Sequence, residues 1–299
     1  MTQTTRIQPE YTLTNPTAAE GMTTQQQARV LVLGGTGKIG RRVAAMLTAR
    51  GVPVRVGGRS ATPAFDWNNA ATWTGVLDGA QSVFISYAPD IAVPGAAQTV
   101  EAFTRQAAAQ GAARVVLLSG RGEEEAEAAE RLVQHAPLPW TIVRCSWFAQ
   151  NFSEGFLLDP ILAGEVALPV DTVSEPFVDC DDIAEVAAEA LLDDRHSGRV
   201  YELTGPRLLT FNDAVQEIAR ASKRPIRFTT ISHEQFSAGL ASAGLAPDEV
   251  SLVSYLFCTV LDGRNASLTN GVEQALGRTP RDFADYARET ARTGVWSSR

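Results

Sequence analysis

The chain has 299 residues, of which 44% are hydrophobic and 20% are charged, and this size allows one large α/β domain or a main domain with a smaller lobe. Its formal net charge of −8 argues against non-specific nucleic-acid binding, because the phosphate backbone would be repelled. Three cysteines without C-x-x-C spacing and three scattered histidines predict neither a disulfide framework nor a metal site.

The first 27 residues differ from the rest of the chain. Residues 1–27 are polar, rich in Thr and Gln, and lack hydrophobic periodicity, which predicts a disordered leader. They also lack the charged-then-apolar pattern of a signal peptide. No stretch of the chain reaches the roughly 18 to 20 apolar residues of a membrane helix. We therefore expect a cytoplasmic protein that does not bind membranes.

The most informative segment spans residues 29–41, with the sequence RVLVLGGTGKIGR. Its apolar start predicts a buried parallel strand, and the pattern of residues 42–50 predicts the first helix. The glycines between them have the G-x-x-G-x-x-G spacing of a dinucleotide-binding turn. In such a turn the amide groups at the helix start face a pyrophosphate. We therefore predict that a cofactor binds at Gly34, Thr36, Gly37, Lys38, Ile39 and Gly40.

Strands and helices alternate from residue 28 onward, which predicts the α/β class. The strands are predicted at 30–33, 54–57, a short segment ending at 65–67, 82–87, 114–119 and 140–144. Residues 28–152 should form a Rossmann-type, doubly wound parallel sheet. The less regular pattern of residues 153–299 predicts a smaller mixed substrate lobe, with some elements returning to the main sheet. Thr279 and Pro280 are expected to cap the last helix.

The end of the second predicted strand indicates which nicotinamide cofactor binds. An Asp or Glu at this place binds the ribose 2′-hydroxyl of NAD, whereas an Arg accommodates the 2′-phosphate of NADP. Arg59 follows the strand, no carboxylate occurs between residues 49 and 63, and Lys38 adds a second positive charge. We therefore predict NADPH/NADP as the cofactor. Asp66 and Trp67 are further candidate cofactor contacts, although Asp66 also fits a simple turn former.

Three later segments carry a family resemblance. They are residues 140–152 (WTIVRCSWFAQNF), 177–184 (FVDCDDIA) and 201–206 (YELTGP). Together with the glycine turn they resemble the NmrA-like, atypical short-chain dehydrogenase/reductase family, and residues 65–67 and 209–296 resemble its ergot-alkaloid-type branch of festuclavine and agroclavine synthases. The resemblance covers nearly everything from residue 28 onward. It implies an NAD(P)H-dependent oxidoreductase that delivers hydride to a C=N or C=C bond.

The Tyr-x-x-x-Lys pair of typical short-chain dehydrogenases is missing. The segment expected to contain it, residues 119–132 (SGRGEEEAEAAERL), has neither Tyr nor Lys. An iminium substrate would tolerate this absence because it already carries the positive charge that hydride neutralises. Tyr87 and Ser119 are the candidate catalytic groups, with Tyr87 as a general acid. The ends of the fourth, fifth and sixth strands should surround the nicotinamide with Ser86, Tyr87, Ser119, Arg121, Cys145, Trp147 and Phe148.

Within this set, Ser86 and Cys145 are predicted cofactor contacts. Trp147, Phe148 and, from the lobe, Tyr255 are predicted to contact an apolar substrate. Two acidic clusters have simpler interpretations. Residues 123–125 (EEE) are interpreted as a solvated helix start, with pairing to a cationic substrate as the alternative. The aspartates at 179, 181 and 182 are interpreted as a helix cap rather than a metal site.

The residues and the resemblance together predict an NADPH-dependent reductase of a small apolar metabolite, acting on a C=N, iminium or conjugated C=C/C=O bond. A non-catalytic NADP(H)-sensing regulator, or an isomerase or cyclase on the same fold, stays open as an alternative, because family membership alone does not prove catalysis. The expected partner is a small-molecule substrate, and the expected assembly is a monomer or homodimer.

Overall fold

The computed structural model describes residues 30–297, so the predicted leader at 1–27 lies outside the described residues. The main sheet has six strands in the order β2-β1-β3-β4-β5-β8, and every neighbouring pair in it is parallel. The strands of the described residues are β1 (Val30–Leu33), β2 (Val54–Gly57), β3 (Ser82–Ile85), β4 (Arg114–Gly120), β5 (Trp140–Cys145), β6 (Glu165–Leu168), β7 (Ser174–Glu175), β8 (Arg199–Leu203), β9 (Leu209–Thr210) and β10 (Arg227–Thr230).

Helices cover both faces of this sheet. The helices are α1 (Lys38–Ala49), α2 (Trp73–Leu77), α3 (Ala96–Ala109), α4 (Glu124–Gln134), α5 (Asn151–Glu154), α6 (Leu158–Ala163), α7 (Cys180–Leu192), α8 (Phe211–Ser222), α9 (His233–Ser242), α10 (Pro247–Tyr255), α11 (Gly271–Leu276) and α12 (Phe283–Arg292). A core of α2, α3 and α4 packs on one face, and a core of α1, α7 and α11 packs on the other. This arrangement confirms the predicted Rossmann-type sheet, because only helices on both faces can bury parallel strands.

The third predicted strand, ending at residues 65–67, is wrong. Phe65 and Trp67 are buried in the core, but they lie in an irregular segment between β2 and α2. Side chains satisfy the backbone of Asp66 here, since its carbonyl oxygen accepts from Trp73 Nε1 at 2.9 Å and its amide donates to Thr72 Oγ1 at 3.0 Å. A strand ladder is therefore unnecessary for burying these two aromatic rings.

The predicted cap of the last helix is also wrong. Helix α12 begins at Phe283, and the side chain of Asp282 caps it by accepting from the amide of Ala284 at 2.7 Å. Thr279 and Pro280 lie further upstream, in the segment that leads to this cap. An Asp in an extended backbone conformation directly before a helix is a strong N-cap, and the capping distance decides against the earlier Thr-Pro pair.

The second half of the chain forms its own aromatic core and also completes the main sheet. Two small sheets, β10 with β6 and β7 with β9, surround a cluster that includes Phe152, Phe177, Phe211 and Phe283. By contrast, β8 pairs with β5, and α7 packs with α1 against the main sheet. The two halves therefore share structure across the boundary that the sequence predicts at residue 152.

Candidate active site

The glycine turn between β1 and α1 has no room for a side chain at Gly34 or Gly40. Gly34 has a φ of 67°, and a Cβ built on Gly40 would lie 2.2 Å from the Gly34 carbonyl oxygen. Thr36 and Gly37 are exposed, and no side chain caps the start of α1. Free amide groups at an open helix N-terminus suit an anion, so this cradle fits the pyrophosphate of a dinucleotide.

The two cations assigned to the cofactor differ in their surroundings. Lys38 lies on the wall of the cavity described below, and burial lowers the pKa of its ammonium group. Arg59 is exposed in the segment after β2, the strand next to β1, and it does not line that cavity. The placement of Arg59 agrees with a 2′-phosphate site, which stays a prediction.

A cavity of about 330 Å³ opens at the carboxyl ends of β3, β4 and β5. Parallel α/β sheets bind ligands at this edge, next to the point where the strand order reverses between β1 and β3. The structure brings together all the residues expected around the nicotinamide, because the cavity is lined by Ser86, Tyr87, Ser119, Arg121, Cys145, Trp147 and Phe148. Lys38 and Ile39 of the glycine turn line it as well.

The second half of the chain supplies part of the apolar wall. Phe156 and Leu256 line the cavity, and Phe156 was not singled out from the sequence. Trp147 is fixed edge-on against Phe211 and Phe257, with ring centroids 5.4 and 4.9 Å apart. This wall suits an apolar ligand with a ring.

Tyr255 does not take the predicted place in this wall. It lies outside the lining residues, and its hydroxyl donates to Glu125 Oε2 at 3.2 Å. Burial, followed by the charge of Glu125, raises the pKa of Tyr255 to about 12. The next residue, Leu256, begins a π-helical turn that ends α10, and it faces the cavity instead. The regular α-helical repeat does not predict which residue faces the cavity at a π-helical turn.

Trp67 and Asp66 also lie outside the cavity lining. Trp67 is only 9% exposed and packs among core aromatic rings, with its ring 4.8 Å from that of Tyr87. Trp67 therefore belongs to the core against which Tyr87 packs. The carboxylate of Asp66 accepts from the amide of Asn68 at 3.0 Å and so forms a turn, while its contact with the cofactor stays a prediction.

The hydroxyl of Ser119 belongs to a buried polar network. It donates to Glu130 Oε1 at 2.6 Å, and Arg144 Nε donates to the same oxygen at 2.9 Å. Arg121 is likewise occupied, because its Nε donates to Glu202 Oε1 at 2.5 Å and its other nitrogens bind residues 265 and 267. These groups line the cavity, but their hydrogen bonds hold β4, β5 and β8 together.

Cys145 lines the cavity as an inert thiol. Its side chain is buried, and burial raises the pKa of the thiol well above its usual range. A low-pKa thiolate is required for nucleophilic catalysis, so Cys145 is not suited to that role. Its predicted contact with a cofactor stays a prediction.

Two carboxyl groups in the cavity were not predicted as site residues. Asp90 and Glu123 both line it, and burial raises the pKa of each of them. For Glu123 the negative charges of Asp90 and Glu125 add to burial, and its pKa rises to about 8. The interpretation of Glu123 as solvated is therefore wrong, whereas Glu124 and Glu125 are exposed as expected.

The only sequence signal for this placement was the pair of glycines around Glu123. A Cβ built on Gly120 would lie 2.1 Å from Glu123 Oε1, so the carboxyl group occupies the space that Gly120 leaves. Gly122 has a φ of 75°, which turns the chain between β4 and α4.

Of the three aspartates interpreted as a helix cap, Asp179 caps α7, whereas Asp181 binds Arg42 and Asp182 binds the segment before α12. Asp179 accepts from the amide of Asp181 at 2.8 Å, and Asp182 accepts from the amide of Arg281 at 2.7 Å. Within residues 30–297 there is no group of three or more His, Cys, Asp or Glu side chains arranged to hold a metal ion. In the same range, every helix is too short or too polar to span a bilayer.

Comparison with curated proteins finds relatives along nearly the whole chain. Agroclavine dehydrogenase of Claviceps fusiformis is 30% identical, with 90% of this chain and 99% of that protein covered. Prestalk A differentiation protein A of Dictyostelium discoideum is 29% identical, covering 89% and 94%, and festuclavine dehydrogenase of Aspergillus fumigatus is 28% identical, covering 87% and 97%. No protein-family model matches the sequence.

Solved structures share the fold at lower identity. An NADPH-dependent quinone oxidoreductase from Escherichia coli, complexed with NADPH, aligns with a TM-score of 0.74 at 19% identity, covering 87% of this chain and 99% of that one. The triphenylmethane reductase of Citrobacter sp., complexed with NADP(H), aligns with a TM-score of 0.69 at 16% identity, covering 88% and 99%. These similarities confirm the Rossmann-type architecture.

Proposed function

Because the chain belongs to the ergot-alkaloid-type branch of the NmrA-like, atypical short-chain dehydrogenase/reductase family, we propose that it is an NADPH-dependent reductase of a small, largely apolar metabolite. The reaction is hydride delivery to a C=N, iminium or conjugated C=C/C=O bond. The names of its relatives, agroclavine and festuclavine dehydrogenase, support the oxidoreductase class.

One observation carries the proposal: the glycine turn and the apolar cavity are continuous. Lys38 and Ile39 belong to the start of α1, where a pyrophosphate would bind, and both also line the cavity. A dinucleotide held by its phosphates at this turn would therefore extend its nicotinamide into the cavity. The NADPH bound to similar folds in solved structures supports the same cofactor here.

The residues then have distinct roles. When bound, NADPH supplies the hydride, and the protein supplies position and a site from which water is excluded. Arg59 would bind the 2′-phosphate, and Ser86 and Cys145 would flank the nicotinamide. Trp147, Phe148 and Phe156 would hold the substrate. The pyrophosphate would be held by the turn formed by Gly34, Thr36, Gly37 and Gly40.

The test is NADPH consumption, followed by its absorbance, with a panel of cyclic imines, N-alkyl iminium salts and enones that carry apolar rings. We expect steady turnover with at least one class and none with sugars or 2-hydroxy acids. Tight NADPH binding measured by calorimetry, without turnover on any panel member, would support the cofactor-sensing alternative instead. Absence of NADPH binding would contradict both.

A further inference from the structure

We propose that Glu123 donates the proton that accompanies hydride transfer to a neutral substrate, in place of the missing tyrosine. This inference rests on the proposed reductase function. It assigns the proton source for imines and conjugated carbonyls, which, unlike an iminium ion, need a proton to complete the reduction.

The position of Glu123 in the fold supports this role. It lies between β4 and α4, on the segment where typical short-chain dehydrogenases carry Tyr-x-x-x-Lys and where this chain has neither residue. Its carboxyl group is packed over Gly120 and lines the cavity together with Tyr87 and Trp147. The proton would therefore come from the same edge of the sheet.

The carboxyl group of Glu123 is also free to act. Its Oε2 is buried and has no hydrogen-bond partner among residues 30–297. A buried polar atom without a partner is costly unless a ligand supplies one. The other candidates are less suitable, because Ser119 already donates to Glu130 and the thiol of Cys145 is buried.

Burial and the surrounding negative charges keep this carboxyl group protonated near neutral pH. Burial has the largest effect, and the negative charges of Asp90 and Glu125 add to it, so that the pKa of Glu123 is about 8. A general acid works best when its pKa is close to the working pH. The other titratable or charged side chains close to Glu123 or lining the same cavity are Lys38, Tyr87, Arg121, Cys145, Tyr255 and Arg264.

The chemistry balances without another reagent. Hydride forms a C–H bond at the carbon of C=N, or at the β-carbon of a conjugated carbonyl, while the substrate gains two electrons and NADPH becomes NADP. The displaced electron pair moves to nitrogen or oxygen, which takes the proton from Glu123 as the carboxyl O–H bond breaks. The carboxylate then regains a proton from water. Asp90 is a positioning residue in this scheme, because its charge favours the protonated form of Glu123.

The test compares two substrates of one shape, a neutral enone or imine and an N-methyl iminium salt, in wild type and in Glu123→Gln. We expect kcat of the variant on the neutral substrate to fall by about 100-fold or more, the usual range for a general acid. Turnover of the iminium salt should stay within about threefold, since no proton is needed. Glu124→Gln, which removes the neighbouring exposed carboxylate, should leave both rates unchanged.

Equal losses on both substrates, or no loss on either, would overturn the proposal while leaving the reductase function intact. So would a selective loss in Tyr87→Phe instead of Glu123→Gln. Wild type that reduces no substrate at all would contradict the proposed function itself, which distinguishes the two failures.

A second readout does not depend on activity. Infrared difference spectra of the apoprotein, wild type minus Glu123→Gln, should show a protonated carboxyl band at pH 7 that disappears as the pH passes about 8. In Asp90→Asn the band should disappear at lower pH, because a negative charge has been removed. If Glu123→Gln does not fold, the proposal is still tested by comparing the pH at which the band disappears in wild type and in Asp90→Asn. Absence of a band that responds to Asp90→Asn would overturn the proposal.

Discussion

We propose that Arg59 determines the preference for NADPH over NADH. Charge reversal in Arg59→Asp should weaken NADPH binding about 10- to 100-fold, because a charged hydrogen bond to phosphate contributes roughly 1.5–3 kcal/mol. The affinity for NADH, which has no 2′-phosphate, should change little. Calorimetric titration of both cofactors measures the ratio.

NADH serves as the internal control for this variant. Equal weakening of both cofactors would indicate a general disturbance near β2 rather than a phosphate site. Unchanged NADPH affinity would show that Arg59 does not bind the 2′-phosphate, and the preference would then have to come from another cation.

Phe156 tests whether the second half of the chain contacts the substrate. Its side chain is 40% exposed and lines the cavity, so Phe156→Ala should fold normally and raise KM about threefold to tenfold, through the loss of roughly 1 kcal/mol of apolar contact. Leu208→Ala is the matched control, because Leu208 is also 40% exposed but lies outside the lining. Identical KM values for the two variants would place the substrate elsewhere.

Local patterns predicted most of the side chains that come from the main sheet. Cys145, Trp147 and Phe148 were predictable because residues at or directly after the carboxyl end of a parallel strand must lie at one edge of the sheet. Glu123 was not, since three consecutive glutamates read as solvated, and burial depends on the space left by Gly120 and on Asp90 from another loop. Such burial is a property of tertiary contacts, which no local pattern contains.

At the scale of the element, strand β7 contains a buried carboxyl group, that of Glu175. Glu175 is fully buried, and both of its carboxylate oxygens lack a hydrogen-bond partner in the described part of the chain. Burial, together with the charge of Asp262, raises its pKa from 4.5 to about 7, although Arg121 opposes the shift. The folded state thus holds this proton more tightly than the unfolded state does.

The stability of the protein should therefore fall between about pH 4.5 and about pH 7 on account of Glu175. The loss of unfolding free energy is absent below about pH 4.5 and complete above about pH 7, where it reaches about 3 kcal/mol at most. Glu175→Gln cannot ionise, so at pH 8 it should have a higher Tm than wild type, and at pH 5 the difference should nearly vanish. Thermal unfolding at both pH values measures this.

Glu273→Gln removes the same charge from an exposed position on α11 and should change Tm equally little at both pH values. If Glu175→Gln had a lower Tm than wild type at pH 8, the ionised carboxylate would stabilise the folded state, which contradicts the prediction.

The range of a strand or helix was predictable where the residues of that segment determine it. β1 and β2 match their predicted ranges, because each is a short apolar or alternating run bounded by glycine or proline. The segment at 65–67 has a similar pattern, yet it is irregular, since Trp73 and Thr72 from the following turn satisfy its backbone. The short helices α5 and α6 had no periodic signal long enough to be predicted.

At the scale of the whole molecule, the two halves are joined at the cavity and in the sheet. β8 and α7 come from the second half but complete the main sheet and its covering layer. The C-terminal segment also contacts the end of the first half, because Trp296 is 1% exposed and its Nε1 donates to the carbonyl oxygen of Phe152 at 2.9 Å. The molecule should therefore unfold as one unit.

Trp296→Ala tests this cooperativity. Removing a buried tryptophan should lower the free energy of unfolding by about 3–5 kcal/mol, and both near-ultraviolet and far-ultraviolet circular dichroism should report one transition at a lower Tm. Leu268→Ala, at a position 50% exposed, should change the free energy by less than about 0.5 kcal/mol. Two separate transitions in Trp296→Ala, with only one of them shifted, would instead mean that residues 28–152 and 153–299 are independent domains, since β8 would then contribute too little to couple them.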